Sequence, residues 1–424
     1  MNSRSRTLTP TRRQSAEATR ARIAAAAREL FVENGYRATS LREIAEAAGI
    51  SHPGLLRHFA SKDEILVCVV RELEDQNMDF YAEIAEAAEP GTLHFAELAR
   101  RNAGTPGYLA LFAALSGEAS SPAHPAHEAM RERYRYLDEM ASQAVSDAID
   151  HGLVSDDRDP LDESIRNSAG WDGLQVIAQY LPERVDIVDM LETREDLRAL
   201  PLGWRDPEDP EPQDVPTPIP PLISALGGEP DEGYAVGRRR RERIVADAMA
   251  LFAQEGYGDT SLREVAEKVG VAKSTLLHHY PTKEALLRAV LETRDRGLRS
   301  RTSYVPSERA VDELRALPVG AADTDAESAG LIEVYAVLSS EAVPEGHPAH
   351  AYFAARFTRV IDHFAELFRA AQADGDLPSH RDPEQEALWL TAMWDGLQYR
   401  WLYDRDAVDV AAHLAAHLDD VLPR

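Results

Sequence analysis

The chain of 424 residues repeats itself. "RIAAAARELFVENGYRATSLREIAEAAG", beginning at Arg22, aligns without a gap to "RIVADAMALFAQEGYGDTSLREVAEKVG", beginning at Arg243, at an offset of 221. At an offset of 223, "LSGEASSPAHPAHEAM" from Leu115 meets "LSSEAVPEGHPAHAYF" from Leu338, and "WDGLQ" at Trp171 meets "WDGLQ" at Trp394. Solenoid repeats run to roughly 20–50 residues, so this period indicates two whole copies of one unit. Each copy, roughly 200 residues, is long enough for its own hydrophobic core.

Between the copies, 200–233 is rich in Pro, Asp and Glu. That composition predicts a semi-extended linker covering about 3.1 Å per residue, long enough for the halves to pair or to stand apart. The rest has helical periodicity. Ile23, Ala27, Leu30 and Phe31 keep the i, i+4, i+7, i+8 spacing of one buried face, as do Ile244, Ala248, Leu251 and Phe252. Gly35 and Gly256 then stop the helix. Amphipathic stretches follow at about 63–88, 125–151, 161–180 and 185–199 with counterparts in the second half, and alternating β-branched runs are absent. The expected fold is all-α, with heads at 1–66 and 234–287 and helical bodies at 67–199 and 288–424.

A net charge of −27 argues at first against a nucleic-acid partner. The charge is unevenly spread. Residues 1–62 hold eleven Arg or Lys against five Glu, and 234–283 hold nine against six acids, leaving −36 on the other 312 residues. Both basic islands contain the repeated motif, and an acidic body would keep the remainder off DNA. The single cysteine, Cys68, excludes an internal disulfide and suits a reducing compartment. No apolar run reaches the ~18–20 residues of a membrane span, and the basic start is not followed by an apolar stretch, so a cytoplasmic protein with no membrane partner is expected.

Ser40-x-x-Glu43 and Ser261-x-x-Glu264 read as capping boxes that fix where a short helix begins. Leu41, Ile44, Ala45 and Ala48, matched by Leu262, Val265, Ala266 and Val269, form its buried stripe, and Gly49 or Gly270 ends it. A small residue four before the turn glycine lets a second helix cross closely, with Leu55 or Leu276 supplying its packing contact. This is helix-turn-helix spacing, with second helices expected near 52–58 and 273–279 and their first residues facing a major groove.

On these motifs, together with "LFVENGY" and "LFAQEGY" and the exits "LLRHFASKDEIL" and "LLHHYPTKEALL", each copy resembles the tetracycline-repressor (TetR) family of transcriptional regulators. The resemblance implies a three-helix DNA-binding head on a helical ligand-binding body, with bodies paired through a four-helix bundle. It implies that Thr39, Thr260, Lys62 and Lys283 hold phosphates, tasks that a hydroxyl, free helical N–H groups and an ammonium suit. The family often has a tyrosine where Leu56 and Leu277 stand, so one phosphate contact per head should be missing. His58 and His279 suit either a packed position near the helix end or a DNA contact, and Phe59 and Tyr280 suit the core.

The outward positions differ between copies. Head one offers Ser51, His52, Pro53, Gly54 and Arg57; head two offers Ala272, Lys273, Ser274, Thr275 and His278. Arg57 and Lys273 fit a guanine or a phosphate equally well. Ahead of the heads lie arginine arms, Arg4, Arg6, Arg12 and Arg13 in one and Arg238, Arg239, Arg240 and Arg241 in the other. Beside a helix-turn-helix they favour phosphate or minor-groove contact over a merely solvated tail.

In the bodies, Trp171 and Gln175, like Trp394 and Gln398, share a helix face. With Tyr108, Phe112, Tyr134, Tyr335 and Phe357 they are candidate linings of a small-molecule pocket, although aromatics at this spacing ordinarily fill a core. His124-x-x-His127 and His347-x-x-His350 lack a third zinc ligand at recognisable spacing, so structural roles are favoured over a metal site. No cofactor is expected, and no phosphate loop, nucleophile elbow or HExxH string suggests an enzyme. The expectation is a ligand-responsive repressor, a single-chain pseudo-dimer on an asymmetric double-stranded operator. Its rivals are a constitutive or architectural binder, a homodimer of tandem chains, and a metal-dependent enzyme using the histidine pairs.

Overall fold

A computed structural model describes residues 12–36, 39–219, 235–301, 307–322 and 326–423. Its contacts divide the chain into two compact units, Met1–Asp79 and Phe80–Arg424. Among the described residues the secondary structure is helical, with no strand. Arg4 and Arg6 lie outside them, and nothing is described of the side chains of Arg12, Arg13, Arg238 and Arg239.

The first unit contains α1 (Arg12–Asn34), α2 (Leu41–Ala47), α3 (His52–Leu55) and most of α4 (Lys62–Ala87). The Ser40–Glu43 capping box is formed in both directions and starts α2. Ile23, Ala27 and Phe31 from α1, Ile44 from α2, and Leu55, Phe59, Ile65 and Leu66 close one small core. The turn helix differs from expectation: α3 stops at Leu55 and 56–58 continue as turns, in keeping with the poor helix propensity of Gly54.

The second unit begins with a body of α5 (Phe95–Gly104), α6 (Tyr108–Glu118), α7 (His127–Asp150), α8 (Pro160–Tyr180) and α9 (Ile187–Leu197). A head follows, of α10 (Ala235–Asp259), α11 (Leu262–Val269), α12 (Lys273–His279) and α13 (Lys283–Arg301). A second body has α14 (Ala310–Ala321), α15 (Ala326–Glu341), α16 (His350–Ala373), α17 (Pro383–Tyr403) and α18 (Val410–Val421). Gly256, at φ 78°, breaks α10 internally where the sequence predicts its stop. The sequence gives little sign of α6, whose stretch "YLALFAALSGE" has no polar face and so no amphipathic period.

The two bodies pack through α8 and α17, flanked by α7 and α16. At the crossing the backbones touch. A Cβ added to Gly173 would lie 1.9 Å from the Ala392 carbonyl oxygen, and one added to Gly396 would lie 1.9 Å from that of Ala169. Both contacts obey the offset of 223, so they are the two halves of a pseudo-twofold. The same symmetry exchanges a tyrosine at each helix end. Tyr403 donates to the carbonyls of Leu115 and Ser116 at 2.9 and 3.2 Å, while Tyr180 donates to that of Ser339.

The segment expected to be a spanning linker is fastened over 200–219. Gly203 N–H donates to Asp420 at 2.9 Å, Thr217 N–H and hydroxyl donate to Asp374, and Ser379 N–H donates to Asp209 at 3.1 Å. Its proline and acidic content forbids a helix, but carboxylates and free amides satisfy the extended backbone equally well.

Each interface helix begins with an Asp cap and a proline, Asp159-Pro160 or Asp382-Pro383, and buries a glutamate one turn later. Burial alone would raise the Glu386 carboxyl, but Arg194, Arg381 and His417 hold it down to about 2. Burial opposes Glu163 likewise, and Arg198, Arg166 and Arg158 lower it to about 2. His347 is depressed to about 4 and His417 to about 3, chiefly by burial. The unfolded chain would take protons on these histidines below about 6.5 and on the glutamates below about 4.5 while the native state refuses them. Stability should therefore be full near neutrality, begin to fall below about pH 6.5 and fall steeply from 4.5 toward 2. Urea denaturation across that range checks this, and a flat profile from pH 7 to 4 would contradict it.

Candidate nucleic-acid interface

Each head presents its turn helix on a fixed base. In the first, Ser51 caps α3 by accepting from Gly54 N–H at 3.1 Å, Leu55 is buried, and Ser51, Pro53, Leu56 and Arg57 are exposed. His52, Gly54 and His58 are half-buried. In the second, Leu276 is the buried anchor, Lys273, Ser274, Leu277 and His278 are exposed, and Thr275 and His279 are half-buried. Both copies thus offer a compact outward surface whose chemistry differs: one arginine after a Pro-Gly turn, against a lysine, two hydroxyls and a histidine.

Basic residues surround these surfaces. Arg20 of α1 donates to the His58 carbonyl, and its guanidinium lies 3.9 Å from the Phe59 ring centre, tying α1 to the end of the turn helix. In the second head, exposed Arg240 and Arg241 are near enough to act on His279. Burial first, then His278, Arg241 and Arg240, push that imidazole below its ordinary value. A clustered positive field of this kind attracts phosphate.

The residues expected to hold phosphates also hydrogen-bond within the heads. Thr39 and Thr260 are each 1% exposed. Thr39 donates to the carbonyls of Leu30 and Gly35 at 3.1 and 2.9 Å, and Thr260 to that of Gly256 at 2.7 Å. Their hydroxyls close the turn after the first helix by satisfying its final carbonyls. Lys62 donates to the Tyr36 and Thr39 carbonyls, both at 2.8 Å, over the Tyr36 ring. Lys283 donates to Gly258 at 3.1 Å, over Tyr257. These contacts brace the heads: the threonines are buried, and the half-buried lysines lie across the turn that follows the first helix.

In the bodies, Tyr108, Phe112, Tyr134, Gln175, Tyr335 and Phe357 are buried, and Trp171, Trp394 and Gln398 half-buried. They surround polar groups that sequence reasoning passed over. Tyr134 donates to Asp172 at 2.7 Å, and Tyr335 to Asp395 at 2.8 Å. Arg133 faces the Phe112 and Tyr134 rings, and Arg356 donates to the Tyr335 hydroxyl at 3.1 Å. Asp172/Asp395 and Arg133/Arg356 match at the offset of 223, and that identity between copies was the available signal. Trp171 Nε1, Gln175 Oε1, Trp394 Nε1 and Gln398 Oε1 are buried without a hydrogen-bond partner.

The histidine pairs serve the backbone. His124 and His347 accept from Ala126 and Ala349 N–H at 3.2 Å, and His127 and His350 face the carbonyls of Ala119 and Ala342. Among the described residues no three His, Cys, Asp or Glu side chains cluster as metal ligands, and no helix is long and apolar enough to cross a membrane.

Two helix-turn-helix heads on all-α bodies define a DNA-binding transcriptional regulator. The profile "Bacterial regulatory proteins, tetR family" matches residues 23–69 and again 244–290, and "BetI-type transcriptional repressor, C-terminal" matches 310–423. The chain belongs to the TetR family, in tandem duplicated form. It is 24% identical over 172 residues to the HTH-type transcriptional regulator SrpR of Pseudomonas putida, covering 41% of this chain and 79% of that one. It is 32% identical over 114 residues to the HTH-type transcriptional repressor KstR2 of Rhodococcus jostii (27% and 53%). It is 42% identical over 52 residues to the HTH-type transcriptional regulator RutR of Escherichia coli K12 (12% and 24%). A solved TetR-family regulator from Rhodococcus sp. aligns at 26% identity over 44% of this chain and 99% of its own, with a TM-score of 0.38.

If Thr39 braces its head from within, Thr39→Val will destabilise it by about 1–3 kcal/mol, the cost of stranding buried carbonyls. Hydrogen exchange of α1 and α2 amides checks this, and unchanged protection would return the hydroxyl to a surface role.

Proposed function

We propose that the chain is a ligand-responsive repressor whose two copies act as a pseudo-dimer on an asymmetric operator. One observation carries the reading: the interface is complementary only between unlike bodies. Arg400 of α17 pairs with Asp138 of α7. At the symmetry-related positions stand Ile177 and Ile361, both buried. Pairing two first bodies would set Asp138 against Ile177, and pairing two second bodies would set Arg400 against Ile361. Either leaves Asp138 or the buried Arg400 without its charged partner. Shape acts in the same sense. Trp389 fills the space over Gly170, where an added Cβ would come within 2.4 Å of the ring; Met393 stands at the matching site of the second body.

Linking two heads in one chain makes the second docking step intramolecular. Because the exposed residues of α3 and α12 differ, each head should read its own half-site. The unpartnered indole N–H groups and amide oxygens of both bodies support an effector with polar edges. In the second body α15 offers a route to the head: it carries Tyr335 at the core and Glu341, whose carboxylate accepts from Tyr257 N–H at 2.6 Å and from Gly258 N–H. Titrating metabolites into the purified protein–DNA complex tests release.

Selection of bound fragments from genomic DNA, followed by footprinting, tests the central claim. Arg57→Ala should weaken one half-site and Lys273→Ala the other, each by about 1–3 kcal/mol. A palindromic footprint that depends equally on both heads would refute it. Light scattering should give the mass of one 46.9 kDa chain, whereas twice that mass would favour a homodimer of tandem chains.

The interface has its own test. Arg400→Ile alone should cost roughly 3–5 kcal/mol by stranding Asp138, and adding Asp138→Ile should recover most of it by copying the Ile177/Ile361 arrangement. Urea denaturation of the four-member cycle measures the coupling, and additive losses would show that the pair does not set the interface.

A further inference from the structure

At the end of the interface where α8 and α17 begin, charged side chains from both bodies line a cavity of about 40 Å³. Its volume suits roughly three waters or one small tetrahedral ion. Five arginines line it, Arg158, Arg166, Arg194, Arg198 and Arg381, with the carboxylates of Glu163 and Asp420; Glu386, outside the lining, pairs with Arg194 and Arg381, and Asp162 lies 3.9 Å from Arg166. Glu163 is shared by Arg158, Arg166 and Arg198 at 3.1, 2.9 and 3.2 Å. Glu386 is shared by Arg194 and Arg381 at 3.1 and 3.2 Å, and Asp420 by Arg158 and Arg381 at 3.4 and 3.1 Å.

The carboxylates do not satisfy the guanidiniums. Arg194 is 6% exposed and Arg198 5%, yet Nε and Nη2 of Arg194 and Nη1 of Arg198 have no hydrogen-bond partner. Buried donors without a partner are costly, and an oxyanion, whose lone pairs match the guanidinium fork, removes that cost. Burial weakens the proton affinity of Arg194 and Arg198, and their carboxylate partners, Glu386 for the first and Glu163 for the second, oppose the shift.

We propose that this cavity binds a small tetrahedral oxyanion, phosphate or sulfate, between the two bodies. Its donors come from both copies, Arg158, Arg194 and Arg198 from the first and Arg381 from the second, so the ion is a clasp across the interface. The assignment is independent of DNA binding. By mass action, an ion that binds the paired state raises its stability with concentration.

The experiment is calorimetric titration of the full chain with inorganic phosphate, then sulfate, then acetate, at constant ionic strength in chloride, with parallel thermal melts. Phosphate and sulfate should bind saturably, and phosphate at about ten times its Kd should raise Tm by roughly 1–3 °C. Arg194→Lys, which keeps the charge and loses the fork, should weaken phosphate binding about tenfold. Ala416→Trp and Leu202→Trp, at exposed positions on the rim of the same cavity, add a ring at its mouth without altering any charged group, and should block binding in a folded protein. No saturable phosphate binding, binding of acetate alone, or unchanged phosphate binding in both tryptophan variants would overturn the assignment.

Discussion

The contact on which the bodies depend is the touching of two helix backbones at Gly173 and Gly396. No side chain separates α8 from α17 there, so neither helix can slide or rotate without driving carbonyl oxygen into Cα. Fixing that crossing also fixes the ends of the helices. Tyr180 and Tyr403 are delivered into the opposite bodies, where each hydroxyl finds carbonyls at corresponding positions, Ser339 on one side and Leu115 and Ser116 on the other. A pseudo-twofold of this accuracy follows from a duplicated sequence only because the glycines survived in both copies.

On that symmetric frame the chain places asymmetric contacts. An ion pair between Arg400 and Asp138 occupies one side, and two isoleucines the other. A buried ion pair adds little net stability relative to a well-packed apolar pair, because desolvation offsets the Coulomb gain. Its effect here is on discrimination, since each wrong pairing leaves one charge with no partner. Desolvation raises the Asp138 carboxyl, and Arg400 opposes the shift, which is the balance of a carboxylate held by one partner. Packing of Trp389 over Gly170 adds a steric criterion to the electrostatic one.

The duplication, the all-α character and the helix-turn-helix were legible in the sequence because they rest on local rules. Capping boxes at Ser40 and Ser261, stop signals at Gly35 and Gly256, and the buried anchors Leu55 and Leu276 depend on neighbours a few residues away. What the sequence hid depends on distant partners. Thr39 and Lys62 carry chemistry suited to a phosphate, and only the fold reveals that the nearest acceptors are the carbonyls ending α1. The 200–219 stretch has a linker's composition, yet Asp374 and Asp420, more than 150 residues further along, fasten it. Helix α6 was hidden for the opposite reason, since a helix buried on all sides has no polar face to set a period.

The same distinction between local and distant partners bears on how a body could act on its head. A straight helix rises about 1.5 Å per residue, so Tyr335 and Glu341 on α15 are separated by about 9 Å along one rigid element. At one end Tyr335 is held by Asp395 and Arg356; at the other Glu341 holds the N–H groups at the kink of α10. A group that competes for the Tyr335 hydroxyl must change the balance of that polar set. Because the Glu341 carboxylate grips backbone N–H groups beside the glycine kink of α10, the core of the second body and the first helix of its head are joined through one helix, with no intervening side chain beyond the two at its ends.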